Sequence, residues 1–505
     1  MTLPKQQRQS SQSTFSGLQH FLLTGCDSGV YRAAAYEPFI DRATDALRAI
    51  ADNGPESVEQ LLAFENARPE AALFVLALAA SPRFAAPETV SRALAALPLV
   101  AAKAQDLATF AAYVESMRGW GRGLRSAIAN WYSSQPVPVL AAQILRSPLP
   151  NLRKHRALLR RAHPKANDLA QNALFQWIVE GSIGHLATPA VLGAELRLVE
   201  GFARIRESVS EQQAIHCIED YRLQPAQVPS RWKKSAAVWE ALYDHLSYRQ
   251  LLRFLPVMTS VGLLRRESEY AALAVARLAN RKRLQTAAVH PLRIVQAMKQ
   301  YRAVVPRPVE SVFDALDEAF HLSLGNVPAV GKRIVAAVDS TGSMQGAPVA
   351  GMPHVPAALA GAALVLSLAR AEDRNCVPMA FHRQTRPLQR FGKADRLADA
   401  LNEVRATPSR SDTASVIRYA IENRLETDAF VIVTDRLTGE TASLTGLTGE
   451  LLRYRDRMGI DAKLVLVTLA GGEVAGWNQA RLPDVIALSG LDTHQAAITI
   501  RAFLH

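Results

Sequence analysis

The chain predicts two architectures in series: a long all-helical region, then an α/β domain with a doubly wound, mostly parallel sheet. Three observations carry that expectation. Residues 15–323 place apolar side chains at three- and four-residue spacing in an Ala-, Leu- and Arg-rich sequence, as helices covering a core on one face do. From Lys332 onward, short apolar runs with a β-branched bias alternate with helical patterns, the order that builds a sheet covered on both faces. Between them, residues 332–344 read KRIVAAVDSTGSM, a strand that stops on an aspartate and a hydroxyl-rich loop. Open α/β sheets bind their ligands at such strand ends.

Taken in order, the first residues, MTLPKQQRQSSQST, are polar and lack the apolar core of a secretory signal, so 1–14 reads as a flexible leader. Residues 40–53, 57–64, 71–80 and 87–97 form short amphipathic patterns, broken at Asn53-Gly54-Pro55, Ser81-Pro82 and Pro98. This is the rhythm of paired antiparallel helices stacked as a solenoid, without an exact period. The helical, polyanion-binding region is assigned to 15–325 and the α/β domain to 326–505. In the latter, strands are expected at 334–338, 376–381, 429–434, 464–469 and 485–488, and helices at 357–370, 393–404, 413–425, 447–458 and 493–503.

With 505 residues and 49% hydrophobic content the chain can fill more than one core. No apolar run approaches the ~20 residues of a bilayer span. Cys26, Cys217 and Cys376 are too few and too scattered for a disulfide framework or a zinc cluster, which points to a reducing, cytoplasmic setting.

The net charge of +12 is unevenly spread. Residues 326–505 carry 20 Lys/Arg against 18 Asp/Glu, leaving 38 against 28 for residues 1–325. From Met117 to Asn167 there are ten Lys/Arg, two His and no acid. A solvated face normally mixes signs, so this belt predicts a polyanionic partner. Residues 231–302 repeat the bias with fourteen Lys/Arg and four Asp/Glu. Arg281-Lys282-Arg283 is discounted there as a helix end that favours cations. Trp177, Trp232 and Trp239 are weighed as base-stacking platforms against the commoner role of core residues.

At the strand end, Asp339, Thr341 and Ser343 offer hard oxygen donors at alternate positions, which suits Mg²⁺. Their spacing resembles the metal-ion-dependent adhesion site of von Willebrand factor A domains, with Thr in place of the first Ser. Such sites draw on two further loops, offered here by Ser411-Asp412-Thr413 and by Asp435. The bland alternative is N-cap residues on strand-to-helix loops. Thr341-Gly342-Ser343 is not an aspartic protease triplet, because Ser340 sits where the catalytic Asp would stand. Residues 325–332 precede their strand and end in Lys332-Arg333, so they are not a phosphate loop. Hydroxyl-dominated loops and a lone His163 argue against a nuclease or any other enzyme.

Together these parts resemble the Ro family, the TROVE-domain RNA-binding proteins that include the Ro autoantigen and its bacterial orthologues. The resemblance rests on FLLTGCDSGVY (21–31), GWGRGLRSAIANWY (119–132), LLRRAHPK (158–165), VWEAL (238–242), MTSVGLL (258–264), HPLRI (290–294), AFHLSLGNVPAVGK (319–332) and AVDSTGSM (337–344). It implies a ring of HEAT-like helical repeats closed by the A domain. A basic central hole would take single-stranded 3′ ends of misfolded non-coding RNA, and Y or Y-like RNA would bind outside. Its RNA-contacting residues fall on Arg122, Arg125, Arg153, Lys154, Arg160, Arg161, His163 and Lys165. Its metal ligands fall on Asp339, Thr341, Ser343, Ser411 and Asp435, with Thr413 replacing Ser411 if the register shifts. The chain departs from the family in SPLPNLRKHRALLRR (147–161), with two prolines, and in Arg436-Leu437 after Asp435, where Arg436 is expected to weaken a divalent ion. Other implied partners are an exoribonuclease reached through the RNA and a protein whose carboxylate meets the metal.

Overall fold

The computed structural model describes residues 17–27, 29–33, 40–181, 195–404, 411–437, 444–472, 474, 482–493 and 495–505. The expected leader at 1–14 lies outside them. Helices dominate up to Ser323, and a sheet-based domain follows. Each helix of the first region packs chiefly on near neighbours in the chain, such as Pro69–Ala79 on Ala104–Met117 and Arg122–Ser134 on Pro148–Ala162. That is the contact pattern of a solenoid.

Two prolines that interrupt the family pattern start a helix instead of breaking one. Pro148 and Pro150 lie in the first turn of Pro148–Ala162, where a missing N–H costs nothing because that group has no intrahelical partner. The helix ends at His163, whose φ of 49° is left-handed and whose N–H donates to the Leu159 carbonyl at 2.9 Å.

Among the described residues the strands are β1 (Val30–Arg32), β2 (Ile334–Asp339), β3 (Pro348–Val349), β4 (Met352–Pro356), β5 (Cys376–Phe381), β6 (Thr385–Pro387), β7 (Ala429–Thr434), β8 (Lys463–Thr468) and β9 (Val485–Ser489). Seven of them form one sheet in the order β1-β9-β8-β7-β2-β5-β6, parallel except for β6, while β3 and β4 form a separate hairpin. β2, β7 and β9 are buried along their whole length because both faces of the sheet are covered there. Ile334, Ala336 and Val338 join one core and Val335 and Ala337 the other.

One expectation needs correction. Val30–Arg32 lies inside the stretch assigned to helices, yet it is the edge strand of the α/β sheet, with Val30 opposite Ala487 and Arg32 opposite Ser489. Three residues are too few to display a period of two, so their pairing decided their conformation. The helical region is therefore tied to the sheet domain at both ends. Gly17–Thr24 packs on the C-terminal helix Gln495–Leu504, and Pro291–Val304 packs on β4 and on Ala357–Glu372. The junction between the regions is pinned by Glu372, whose buried carboxylate accepts from the N–H groups of Val330 and Gly331.

Arg281-Lys282-Arg283 is also placed differently from expectation. It opens the helix Arg281–Thr286 behind the N-cap Asn280, where the helix dipole opposes cations. Trp177 and Trp239 are core residues, whereas Trp232 is half-buried. All three cysteines are free thiols.

Candidate functional site

The acid-free belt is carried by two helices packed on each other, Arg122–Ser134 and Pro148–Ala162. Leu124, Ile128, Trp131 and Tyr132 of the first and His155, Leu158 and Leu159 of the second face the core, which leaves the cations on the outer faces. The pair is locked by Tyr132 Oη and His155 Nδ1 at 2.6 Å. Burial, and next the charge of Lys154, lower the His155 pKa to about 4, so this imidazole is neutral at pH 7. It is a structural tie.

The eight candidate RNA-contacting residues are all exposed, and they divide into two sets. Arg122, Arg125, Arg153, Lys154, His163 and Lys165 make no side-chain hydrogen bond or ion pair among the described residues. Arg160 reaches the Val179 carbonyl at 3.4 Å. Arg161 pairs with Glu115 and lies over the Trp120 ring at 5.1 Å. Glu115 stands just outside the acid-free window, and no local pattern marks it as the partner of Arg161. Two other belt cations serve the fold: Arg118 donates to the Ala80 carbonyl at 2.7 Å and Arg156 to the Ile178 carbonyl at 3.1 Å. Arg122 and Arg125 occupy a helix's first turn, a placement that the dipole disfavours.

The second group of residues meets at the carboxyl edge of the sheet. Asp339 ends β2, with β7 on one side and β5 on the other. Its Oδ1 accepts from the Thr341 N–H at 2.8 Å and its Oδ2 from the Thr434 hydroxyl at 2.8 Å. Thr434, absent from the expected ligands, is the last residue of β7 and also lies 3.4 Å from Asp435 Oδ1. A hydroxyl closing an otherwise apolar run was its only signal. Thr341 Oγ1 and Ser343 Oγ stand 3.0 Å apart. The second loop is held against the end of β5 by the Asp412 N–H, which donates to the His382 carbonyl at 2.9 Å. The hydroxyls of Ser411 and Thr413 are buried there without a partner, while Asp412 is spent on Arg418. Arg436 is exposed.

This donor set passes a test for a hard cation. Short contacts join Asp339, Thr341, Ser343, Thr434 and Asp435, and on the second loop two buried hydroxyls lack partners among the described residues, a state that costs about 1–3 kcal/mol each unless something satisfies them. Among the described residues no three of His, Cys, Asp and Glu gather, so any ion here would depend on hydroxyls and water.

Family models match two parts of the chain, the Ro60 vWA domain at residues 333–504 and the TROVE domain at residues 226–307. The RNA-binding protein RO60 of Deinococcus radiodurans is 31% identical over 493 residues, covering 94% of this chain and 90% of that protein. This chain belongs to the Ro family. Its Caenorhabditis elegans relative of the same name is 25% identical, over 90% of this chain and 82% of that one. The crystal structure of the D. radiodurans RO (RSR) protein superposes with a TM-score of 0.86 at 29% identity, covering 97% of this chain and 99% of that one. The fold of this Ro-family chain is thus a helical repeat region followed by a von Willebrand factor A domain, with the belt on the first and the Asp339 loop on the second. No helix among the described residues is long and apolar enough to cross a membrane.

Proposed function

We propose that this chain is a non-catalytic, cytoplasmic RNA-binding protein of RNA quality control. It takes single-stranded 3′ ends of misfolded or structured non-coding RNA into a basic central hole and holds a Y or Y-like RNA on its outer surface, as a ribonucleoprotein scaffold. The observation that supports this best is the set of exposed cations at 122, 125, 153 and 154 on two packed helices, and at 165 just beyond the second, none of them ion-paired among the described residues. Such cations displace counterions from phosphates and grip RNA without reading its sequence. A passage of limited width then selects for an unpaired end, so shape decides which RNA enters. An exoribonuclease is recruited through the bound RNA.

The Asp339 loop supports a second, compatible role. Asp339, Thr341, Ser343, Asp435 and either Ser411 or Thr413 would hold Mg²⁺, and the unpartnered hydroxyls favour it. When bound, the ion offers an open coordination position to a partner protein's carboxylate.

The test is crosslinking and sequencing of RNA from the native host, with the chain as it stands and with Arg153→Glu/Lys154→Glu. Recovered RNAs with accessible 3′ tails, lost in the variant, are expected. RNAs without such tails would sink the threading mechanism, and unchanged recovery would sink the belt as the contact surface.

A further inference from the structure

A different group of cations lies in the second half of the helical region. Arg249 and Arg253 sit one turn apart on the helix Tyr248–Ser260, both exposed. That helix packs on Pro291–Val304, which carries the half-buried Arg293 in its first turn. The half-buried Lys233, on the turn Trp232–Lys234, is close enough to Arg253 to feel its charge. Three elements thus bring four cations together.

Among the described residues no carboxylate pairs with them. Lys233 Nζ donates to the Pro225 carbonyl at 3.1 Å, Arg249 to the Ala287 carbonyl at 3.0 and 3.2 Å, and Arg293 to Gln296 Oε1 at 3.0 Å, all uncharged acceptors. Arg253 lies over the Phe254 ring at 5.4 Å. Burial first, and then the charge of Arg253, hold Lys233 and Arg293 below their ordinary pKa, with Arg249 adding to the effect at Arg293. The acids of the same stretch lie elsewhere: Glu240 and Asp244 act on Tyr270, and Asp244 also on Tyr243.

By itself this arrangement is unfavourable. Like charges one helical turn apart repel, and Arg249 and Arg293 both occupy first turns, where the dipole adds positive potential. An anion between the three elements would relieve all of these costs together, and tetrahedral oxyanions suit guanidinium donors. We propose that Lys233, Arg249, Arg253 and Arg293 form a second phosphate-binding site, separate from the belt at 122–165, which takes a phosphodiester of a bound RNA strand. The identity of the phosphate carrier rests on the RNA-binding reading above; the site itself does not.

The test uses the full chain and its Arg249→Gln/Arg253→Gln variant, with circular dichroism melting to confirm folding. The probe is a fluorescein-labelled 20-nucleotide oligouridylate, followed by anisotropy from 50 to 300 mM KCl. Two lost contacts should weaken binding about 10- to 30-fold near 0.1 M salt and flatten the slope of log affinity against log salt by about 1.4. Unchanged affinity and slope would overturn the site. An Arg153→Gln/Lys154→Gln variant runs in parallel. If only that one loses affinity, the second site fails and the RNA-binding reading stands; if neither does, both fail. Inorganic pyrophosphate distinguishes the carrier: if it raises the melting temperature of the unmodified chain but not of the variant while the RNA slopes agree, the site takes small phosphates and its assignment to RNA is wrong.

Discussion

The basic belt of the helical region and the ion-paired arginines of the A domain use positive charge in opposite ways. In the A domain, Arg333 is held by Glu426 and by Asp428 at 2.7 Å, Arg418 by Asp412, Arg453 by Glu450 at 3.0 Å and Arg455 by Asp484 at 3.5 Å. Arg396 reaches back to Asp317 at 2.5 Å on the last long helix of the repeats. In the belt, Arg122, Arg125, Arg153, Lys154 and Lys165 have no such partners among the described residues. Surface arginines therefore differ in role: paired ones fasten the fold, and unpaired ones are available to a polyanion.

The strongest way to break this contrast is to remove the free set. A chain with Gln at 122, 125, 153, 154 and 165 should bind single-stranded RNA roughly 1,000-fold more weakly near 0.1 M salt, at about fivefold or slightly less per contact. Arg333→Gln with Arg418→Gln should leave that affinity within about twofold and cost only about 1 kcal/mol per exposed pair. Anisotropy and urea melts read both, and equal losses of RNA binding would end the distinction.

Acid should separate the regions next. His155 protonates near 6.5 when unfolded and about 4 when folded, so its contribution is full above 6.5 and falls as pH drops toward 4, by about 3 kcal/mol in all. Asp428 behaves at lower pH. The hydrogen bonds from Arg333 hold its carboxyl below 3.8, so its contribution persists above 3.8 and is lost only as pH falls through the folded value. Urea melts from pH 7.5 to 4 should show stability loss that His155→Gln flattens and Asp428→Asn does not; the reverse result would refute the assignment.

A smaller effect is expected at the sheet edge. Asp339→Ala strands the Thr341 N–H and takes the shortest acceptor from the Thr434 hydroxyl, at about 2 kcal/mol, and should remove any stabilisation by Mg²⁺ while RNA affinity stays within about twofold. Calorimetric melting with and without Mg²⁺ checks this, and a large loss of RNA binding would tie the metal loop to the RNA. The smallest change is expected from Arg161→Gln. With Glu115 already bound to it, this arginine should cost less than about 1 kcal/mol of stability and less RNA affinity than Arg153→Gln. A greater RNA loss than at Arg153 would show that the pair opens on binding.

Much of this molecule was legible in the chain alone. Helices and most of the sheet's central strands fell close to their expected spans, since short β-branched apolar runs such as 429–434 and 464–469 mark buried strands without a distant partner. The same local grammar placed Asp339 at a strand end and kept acids out of 117–167. Folding alone decided which charges stay free and which hydroxyls meet. Arg161 finds Glu115 46 residues away, Arg396 finds Asp317 across 79, and Thr434 meets Asp339 across 95. The strand Val30–Arg32 likewise acquired its conformation from Val485–Ser489. Backbone preference is written in neighbouring residues, whereas ion pairs and sheet edges depend on distances in space that no local pattern encodes.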